Sequence, residues 1–224
     1  MTVKTQATGR GLILYDEALL DHADDALFTP PAAAASPAGG RGRTFILKRG
    51  GGDWVLRHYR RGGGARFLGD RYLWTGLEST RPWREWRLLH ALYKEGLPVP
   101  QPVAARVERR GFFYRGDLVT RRIDGARSLA ESLDVRLPWR EVGRCVRRFH
   151  DAGVWHADLN AHNILIDGGG IYLLDFDRSE RRASAPGWKI ANIMRLKRSL
   201  DKLSGGRFDA DAWRVLLDGY GTGG

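Results

Sequence analysis

The sequence is poor in cysteine and in long apolar runs. Cys145 is the only cysteine among 224 residues, which excludes an intramolecular disulfide and fits a reducing compartment. No run of about 18 apolar residues is present, so a membrane-spanning helix is not expected. The N-terminus lacks the basic start, apolar core and small-residue cleavage site of a secretory signal peptide. We therefore expect a protein of the cytosol, or one resting on a membrane from the cytosolic side.

The sequence is also poor in lysine, although it is strongly basic. The formal net charge is +11, and only six of the 37 basic residues are lysine. The arginine guanidinium group matches phosphate and carboxylate with a planar fork of donors. The charge therefore indicates an anionic partner, with simple compositional bias as the alternative explanation. No recognisable nucleic-acid-binding module is present, so nucleic acid is not an expected partner.

The first half of the chain predicts a β-rich region with one main helix. Residues 28–42 have the composition of a loop, and no clear strand is found before Gly39. Residues 84–95 place apolar side chains on one face, as an amphipathic helix does. The predicted strands are residues 43–48, 54–59, 103–107 and 112–120, the last broken at Gly116.

The second half predicts mainly helices. Pro138 and Gly153 bracket a segment with an apolar stripe, which indicates an amphipathic helix between them. Two closing helices are predicted, at residues 188–203 and 210–220. The whole chain, 1–224, is thus predicted to be one α+β domain. Its two lobes are a β-rich N-terminal lobe, 1–121, and a reduced, mainly helical C-terminal lobe, 122–224.

Four polar residues early in the second half have a spacing that carries chemistry. His156, Asp158 and Asn163 stand at offsets of two and seven, and Asp175 follows twelve residues later. This is the spacing of the catalytic loop (156–163) and metal segment (175–177) of protein-kinase-like phosphotransferases. The alternative is structural, with Asp158 capping a turn and Asn163 bonding to loop backbone.

The chemistry of phosphoryl transfer explains these residue types. The reaction needs a base near the acceptor hydroxyl and cations across the phosphates of ATP. We predict Asp158 as that base, and Asn163 and Asp175 as the hard oxygen ligands that Mg²⁺ prefers. We place His156 among the catalytic-loop residues, with hydrogen-bonded bracing favoured over a reacting role.

Residues for the nucleotide phosphates are predicted in the first half. Gly40 and Gly42 precede a strand, so their backbone N–H groups could cradle phosphates. Arg57 on the following strand is the predicted phosphate-binding cation, with Lys48 as its rival. Glu85 is the carboxylate predicted to hold that cation, the alternative being an ordinary acid favoured by a helix N-terminus.

With these residues assembled, the sequence resembles the lipopolysaccharide kinase group. The likeness covers most of the chain from about Arg41 to Arg178. It rests on residues 54–63, 70–89, 96–107, 118–131 and 156–167. The resemblance implies a two-lobed protein-kinase-like fold. It also implies ATP-dependent phosphorylation of a hydroxyl, at the 4-position, of the Kdo sugar on lipid A.

The resemblance further implies a peripheral location on the cytoplasmic side of the inner membrane, with Kdo–lipid A as acceptor. Residues 57–67 and 78–86 interleave basic and aromatic side chains, which suits an anionic membrane surface. Trp74, Trp83 and Trp86 are candidates for that interface, with a core position as the alternative for Trp86.

The sequence departs from typical protein kinases in places. Asn160 stands where they carry lysine, two residues after the catalytic aspartate, and Arg57 replaces the expected strand lysine. Two rival functions remain open. One is a soluble small-molecule kinase of the aminoglycoside or choline kinase type. The other is a pseudokinase that binds an anionic membrane surface. The sequence does not indicate an oligomeric state.

Overall fold

A computed structural model gives the fold of two compact units. The described residues are 3–9, 11–30, 43–49, 51–60, 69–133 and 137–221. The first unit comprises Met1–Ala91 and Pro100–Arg122, and the second comprises Leu92–Val99 and Ile123–Gly224. No helix in these described ranges combines the length and hydropathy that crossing a bilayer requires.

The first unit is built on an antiparallel sheet of seven strands among the described residues. The strands are β1 Val3–Ala7, β2 Leu12–Asp16, β3 Arg43–Leu47, β4 Trp54–His58, β5 Tyr72–Leu73, β6 Pro102–Arg110 and β7 Phe113–Arg121. Their order is β1-β2-β6-β7-β4-β3, and β5 pairs with β7. Apolar residues from β2, β3, β4, β6 and β7 join Phe28 in a buried core. Burial of this apolar face drives assembly of the sheet.

Two strands precede residue 39, where the sequence indicated none. β1 is a mostly exposed edge strand of sequence VKTQA, so it shows no apolar alternation. β2 is the apolar run LILYD, which pairs with β6 and is largely buried. A short apolar run cannot be assigned to strand or helix by periodicity alone. The expectation that this region lacks strands was therefore wrong.

Strand β7 continues through Gly116, so the predicted break there was also wrong. A Cβ atom on Gly116 would lie 2.5 Å from Cγ of Pro82. Glycine is needed because the adjacent chain approaches the strand backbone closely, and this is a known reason for glycine within strands.

One long helix, α1 (Arg81–Lys94), follows β5. It begins three residues before the predicted start at Arg84, because Pro82 is compatible with a first helical turn. Trp83 and Trp86 on this helix are 1% and 0% exposed. Both indole rings therefore lie in the interior. This corrects the expectation that Trp83 contacts a membrane interface, and it agrees with the core alternative for Trp86. Trp74 is half-buried.

The second unit contains three helices and short paired strands among its described residues. These are α2 Trp139–Asp151, α3 Pro186–Leu203, α4 Ala210–Tyr220, β8 Arg127–Ser128, β9 Val154–Trp155, β10 Ile164–Ile166, β11 Ile171–Leu173 and β12 Glu180–Arg181. Strand β10 pairs with both β11 and β8, and β12 pairs with β9. The mixture of a β-rich unit and a helical unit agrees with the predicted α+β class.

Helices α2 and α4 approach so closely that each contributes a glycine to the contact. A Cβ on Gly143 of α2 would lie 2.0 Å from the carbonyl oxygen of Leu216. A Cβ on Gly219 of α4 would lie 2.0 Å from the carbonyl oxygen of Arg140. No side chain fits at either position, so the two glycines set the spacing of this helix pair.

Cys145 lies on α2 and is buried. Its thiol is 3.5 Å from the carbonyl oxygen of Ile171. Burial raises the pKa of this thiol to about 12. The group is therefore an uncharged, unreactive part of the interior.

His150 is 1% exposed and is held as a neutral imidazole. The hydroxyl of Tyr220 donates to Nδ1 at 2.6 Å, and Nε2 donates to Oδ1 of Asn192 at 3.0 Å. Burial lowers the pKa of His150 to about 4, against a weaker opposite effect of the Asn192 hydrogen bond. The unfolded chain, with a histidine pKa of about 6.5, therefore binds more protons than the folded chain between these values.

We expect the free energy of unfolding to fall as the pH drops through this window. His150 alone should account for about 2 kcal/mol between pH 7 and pH 5. Urea unfolding at the two pH values measures the loss. It should be smaller in His150→Gln and unchanged in the control His162→Gln, because His162 is exposed. An equal pH dependence in all three proteins would contradict this assignment.

Candidate active site

The loop between β9 and β10 is folded by its own side chains. A 3₁₀ turn spans Ala161–Asn163, and Asn160 caps it. Oδ1 of Asn160 accepts the backbone N–H groups of His162 at 2.9 Å and Asn163 at 3.2 Å. The residue that departs from typical protein kinases thus fixes the turn that carries Asn163.

His156 connects this loop to the segment before Asp175. The imidazole is buried, and its Nδ1 accepts the backbone N–H of Asp158 at 3.2 Å. Nε2 therefore carries the proton and donates to the carbonyl oxygen of Leu174 at 2.8 Å. Burial also lowers the pKa of His156. The neutral ring has both nitrogens engaged with backbone, so its contacts are those of a brace.

The β10–β11 hairpin brings Asn163 and Asp175 to one end. Ile164 pairs with Leu173 in the register of the two strands. Just beyond them, the N–H of Leu174 donates to the carbonyl oxygen of Asn163 at 2.9 Å. Asp175 follows directly with φ of +59°, a left-handed conformation that is uncommon for a residue other than glycine. Such backbone geometry is often found at functional sites.

The donor atoms at this hairpin end fit magnesium. Nδ2 of Asn163 donates to the carbonyl oxygen of Asp158 at 2.9 Å, which leaves the amide oxygen as the group able to contact a cation. Within the described ranges, no three His, Cys, Asp or Glu side chains form a metal cluster. Mg²⁺ does not need one, because it commonly binds one or two protein oxygens together with water and phosphate oxygens. Asn163 and Asp175 each carry side-chain oxygen of the kind that could occupy one such ligand position.

Asp158 has a cationic partner that sequence reasoning missed. Arg195 on α3 donates from Nη2 at 2.8 Å and from Nε at 3.2 Å, both to Oδ1 of Asp158. From the sequence, residues 195–202 of the predicted closing helix are expected to form a solvated helix face. The side chains of Arg195 and Asp158 are indeed 47% and 45% exposed. No sequence signal links two residues so far apart in the chain.

In the first unit, Arg57 and Glu85 form the ion pair that the sequence predicted. Nη2 of Arg57 donates to Oε2 of Glu85 and, at 3.1 Å, to the hydroxyl of Tyr59. That hydroxyl in turn donates to the same Glu85 oxygen. Burial, and next the Glu85 charge, raise the pKa of Tyr59 well above its usual value. The carboxylate of Glu85 is only 2% exposed, so this pairing compensates a buried charge.

The other predicted nucleotide residues have different outcomes. Lys48, the rival of Arg57, extends from the β3–β4 hairpin to Asp53, with Nζ 2.6 Å from Oδ2. Gly40 and Gly42 lie outside the described residues, as does most of the basic stretch 57–67.

Comparison with known proteins is consistent with this geometry. The sequence profile of the lipopolysaccharide kinase (Kdo/WaaP) family matches residues 27–220. A 3-deoxy-D-manno-octulosonic acid kinase of Stenotrophomonas maltophilia (strain K279a) is 46% identical over 216 residues, which cover 92% of this chain and 87% of that protein. The protein of the same description from Xanthomonas campestris pv. campestris (strain B100) is 45% identical over 220 residues, covering 94% and 88%.

A solved structure extends the comparison to the fold. An aminoglycoside-3'-phosphotransferase of type VIII is similar with a TM-score of 0.57 and 17% sequence identity, covering 87% of each chain. This likeness confirms the predicted protein-kinase-like fold class. The family profile and both relatives match nearly the whole length of the chain. The chain therefore belongs to the lipopolysaccharide kinase (Kdo/WaaP) family and is an ATP-dependent kinase.

Proposed function

We propose that the protein transfers the γ-phosphoryl group of ATP to a hydroxyl, the 4-OH, of the Kdo sugar on Kdo–lipid A. The observation that carries this proposal is the convergence of Asn163 and Asp175 at one hairpin end, with Asp158 bonded to Asn163. The names and near full-length similarity of the relatives support the choice of acceptor.

In the proposed reaction, Asp158 is the general base. One carboxylate oxygen, Oδ1, receives both contacts from Arg195. The other oxygen, Oδ2, takes the proton of the acceptor hydroxyl. The acceptor oxygen then forms its bond to the γ-phosphorus while the bond from that phosphorus to the bridging oxygen breaks, and ADP leaves.

Asn163 and Asp175 are the proposed ligands of Mg²⁺. The bound ion would neutralise charge across the phosphates of ATP. His156 supports this site, because its two ring nitrogens form hydrogen bonds to the backbone of Asp158 and of Leu174. We propose that it keeps the base and the metal ligands in register rather than exchanging protons itself.

Arg195 is proposed as a positioning residue for Asp158. Protein kinases carry a lysine two residues after the catalytic aspartate, but Asn160 occupies that position here and caps a turn. Arg195 supplies a cation next to the same carboxylate from another helix. By holding Oδ1, Arg195 fixes the orientation of the Asp158 carboxylate and so the position of the oxygen that takes the proton.

Arg57 is the proposed contact for the α- and β-phosphates, and Glu85 and Tyr59 hold it in place. The Arg57 side chain is 23% exposed, so part of it is accessible to a ligand. We further propose that Gly40 and Gly42 place backbone N–H groups on the phosphates.

We propose that the protein acts peripherally on the cytoplasmic side of the inner membrane. The net charge of +11 supports this location, since anionic lipid headgroups attract basic proteins. The proposed acceptor also carries its sugar on a lipid.

The function is tested by supplying radiolabelled [γ-³²P]ATP with a panel of acceptors. We expect labelling of Kdo–lipid A, and none of lipid A without Kdo, aminoglycosides, choline or a generic protein. Phosphorus NMR of the product should place the phosphate on the 4-oxygen. Labelling of only the cationic small molecules would instead establish the rival small-molecule kinase, and no labelling of any acceptor would support the pseudokinase.

A further inference from the structure

The β6–β7 hairpin ends in an apolar projection that the catalytic proposal does not use. Phe112, in the turn, is 82% exposed, Leu73 on β5 is 58% exposed, and Phe113 at the start of β7 is 39% exposed. We call these three residues the hairpin tip. The N–H of Trp74 donates to the carbonyl oxygen of Phe112 at 2.9 Å, so the tip is tied to the neighbouring strand. Exposed apolar groups held together in this way indicate an interaction site.

Strand register places arginines on the same face as the hairpin tip. Phe113 pairs with Leu73 on one side and with Arg110 on the other. Side chains alternate along a strand, so Arg115, two residues after Phe113, shares that face. Arg71, just before β5, lines the same cavity as Arg115. Apolar and basic side chains are thus neighbours on this face, with Glu108 opposite Arg115.

The three arginines surround a small cavity. Its volume is about 230 Å³, and it is lined by Arg71, Arg110, Phe113, Tyr114 and Arg115. A guanidinium cluster beside an aromatic ring suits a phosphate or carboxylate group attached to an apolar body. This cavity is large enough for a phosphate headgroup but not for a folded protein segment.

Acidic groups lie near Arg115 and Arg110. Asp70 lies 2.9 Å from Nε of Arg115. Glu108 lies 3.7 Å from Nη2 of Arg110, but it is closer, at 3.2 Å, to the buried Arg106. The Arg110 side chain is 69% exposed and its acidic neighbour is shared with Arg106, so its charge is accessible to an anionic ligand.

We infer that the hairpin tip and its arginine cavity dock on an anionic phospholipid bilayer. The cavity arginines bind headgroup phosphates, while Phe112 and Leu73 enter the boundary between headgroups and acyl chains. A protein partner fits less well, because the three apolar side chains of the hairpin tip fall far short of the roughly 800 Å² per partner that stable interfaces bury. Interfacial binding with apolar insertion and basic contacts needs no such area.

This inference deepens the proposed function and rests on it for the location of the acceptor. Docking brings the kinase to the lipid surface that carries its substrate. The surface itself is defined by residues of the first unit alone, and none of them belongs to the catalytic loop. Vesicle binding without ATP or acceptor therefore tests it separately from catalysis.

The test is sedimentation of the full-length protein with phosphatidylglycerol–phosphatidylcholine vesicles. We expect Phe112→Ser to weaken binding about tenfold through lost apolar burial. We expect Arg110→Gln to weaken it about fivefold, because each basic residue near the surface contributes about 1 kcal/mol. Matched controls are Ile190→Ser and Arg214→Gln, since Ile190 is 57% exposed and the Arg214 side chain is 68% exposed, both on helices of the second unit.

Salt and headgroup separate the two contributions. Binding should fall as salt rises, and the slope should be shallower in Arg110→Gln but unchanged in Phe112→Ser. Equal binding of all variants, or equal binding to pure phosphatidylcholine vesicles, would overturn the inference. So would binding of soluble glycerol phosphate at Arg110 without any vesicle binding, because the cavity would then serve a free phosphate. The acceptor panel would be unaffected by any of these failures.

Discussion

Replacement of Asp158 with asparagine is expected to lower kcat about 1,000-fold while the protein stays folded. A positioned general base contributes about 10²–10⁴-fold to a rate, and the amide cannot take the acceptor proton. Asparagine has nearly the same shape, and its Oδ1 can still accept from Arg195. The KM for ATP should change little, because Asp158 is not a proposed metal ligand. Initial rates at varied ATP and Kdo–lipid A give the two constants separately.

The control for this experiment is Asp211→Asn. The Asp211 side chain is 86% exposed on α4, so its loss removes a similar charge away from the loop. It should leave kcat unchanged. If Asp158→Asn kept more than a tenth of the activity, Asp158 would no longer be the base, although Asn163 and Asp175 could still be metal ligands.

Replacement of Arg195 with methionine is expected to lower kcat about 30-fold. The size follows from the 1.5–3 kcal/mol that hydrogen bonds to charged groups contribute. The melting temperature should not fall, because ion pairs about half exposed to solvent add little to stability. The KM for ATP should also stay near its original value. Activity and thermal unfolding measured on the same preparation separate the two effects.

Two further variants decide whether Arg195 acts through its charge and position. Arg195→Lys restores the charge and should recover part of the rate. Arg198→Met removes an exposed arginine one turn further along α3 and should have no effect. A parallel loss of activity and melting temperature in Arg195→Met, or an equal loss in Arg198→Met, would show a structural or non-specific contribution instead.

The local part of the site could be predicted from sequence. His156, Asp158 and Asn163 lie within eight positions of one another, so their spacing is fixed by one loop. The hairpin that follows is short, and its two apolar strands indicate that Asp175 returns to the same end. Local features such as this loop and hairpin can be recognised in a sequence, because a few neighbouring residues determine them.

The partner of Asp158 could not be predicted in the same way. Arg195 is 37 residues further along the chain, and the packing of α3 brings it to the loop. The helix carries several basic residues, and nothing in their order distinguishes the one beside a carboxylate. The structure gives Lys48 and Arg57 different partners, because Lys48 meets Asp53 within the β3–β4 hairpin and Arg57 meets Glu85 on α1.

The edges of the fold were missed for a different reason. β1 is exposed along most of its length and needs no apolar pattern, so only its hydrogen bonds to β2 define it as a strand. Trp83 appeared suited to a membrane interface because it lies among arginines in sequence. On the helix, Trp83 faces the interior, whereas the neighbouring side chains of Arg81 and Arg84 point in other directions.

The single thiol of the protein can report on structural opening of the second unit. Cys145 is buried on α2, with a pKa of about 12, so an alkylating reagent can reach a reactive thiolate only when the surrounding structure opens. The rate of alkylation therefore measures the free energy of that opening, without an engineered label and without interference from a second site. Nucleotide that stabilises this unit slows the alkylation of Cys145, so the alkylation rate at increasing nucleotide concentration measures ligand binding.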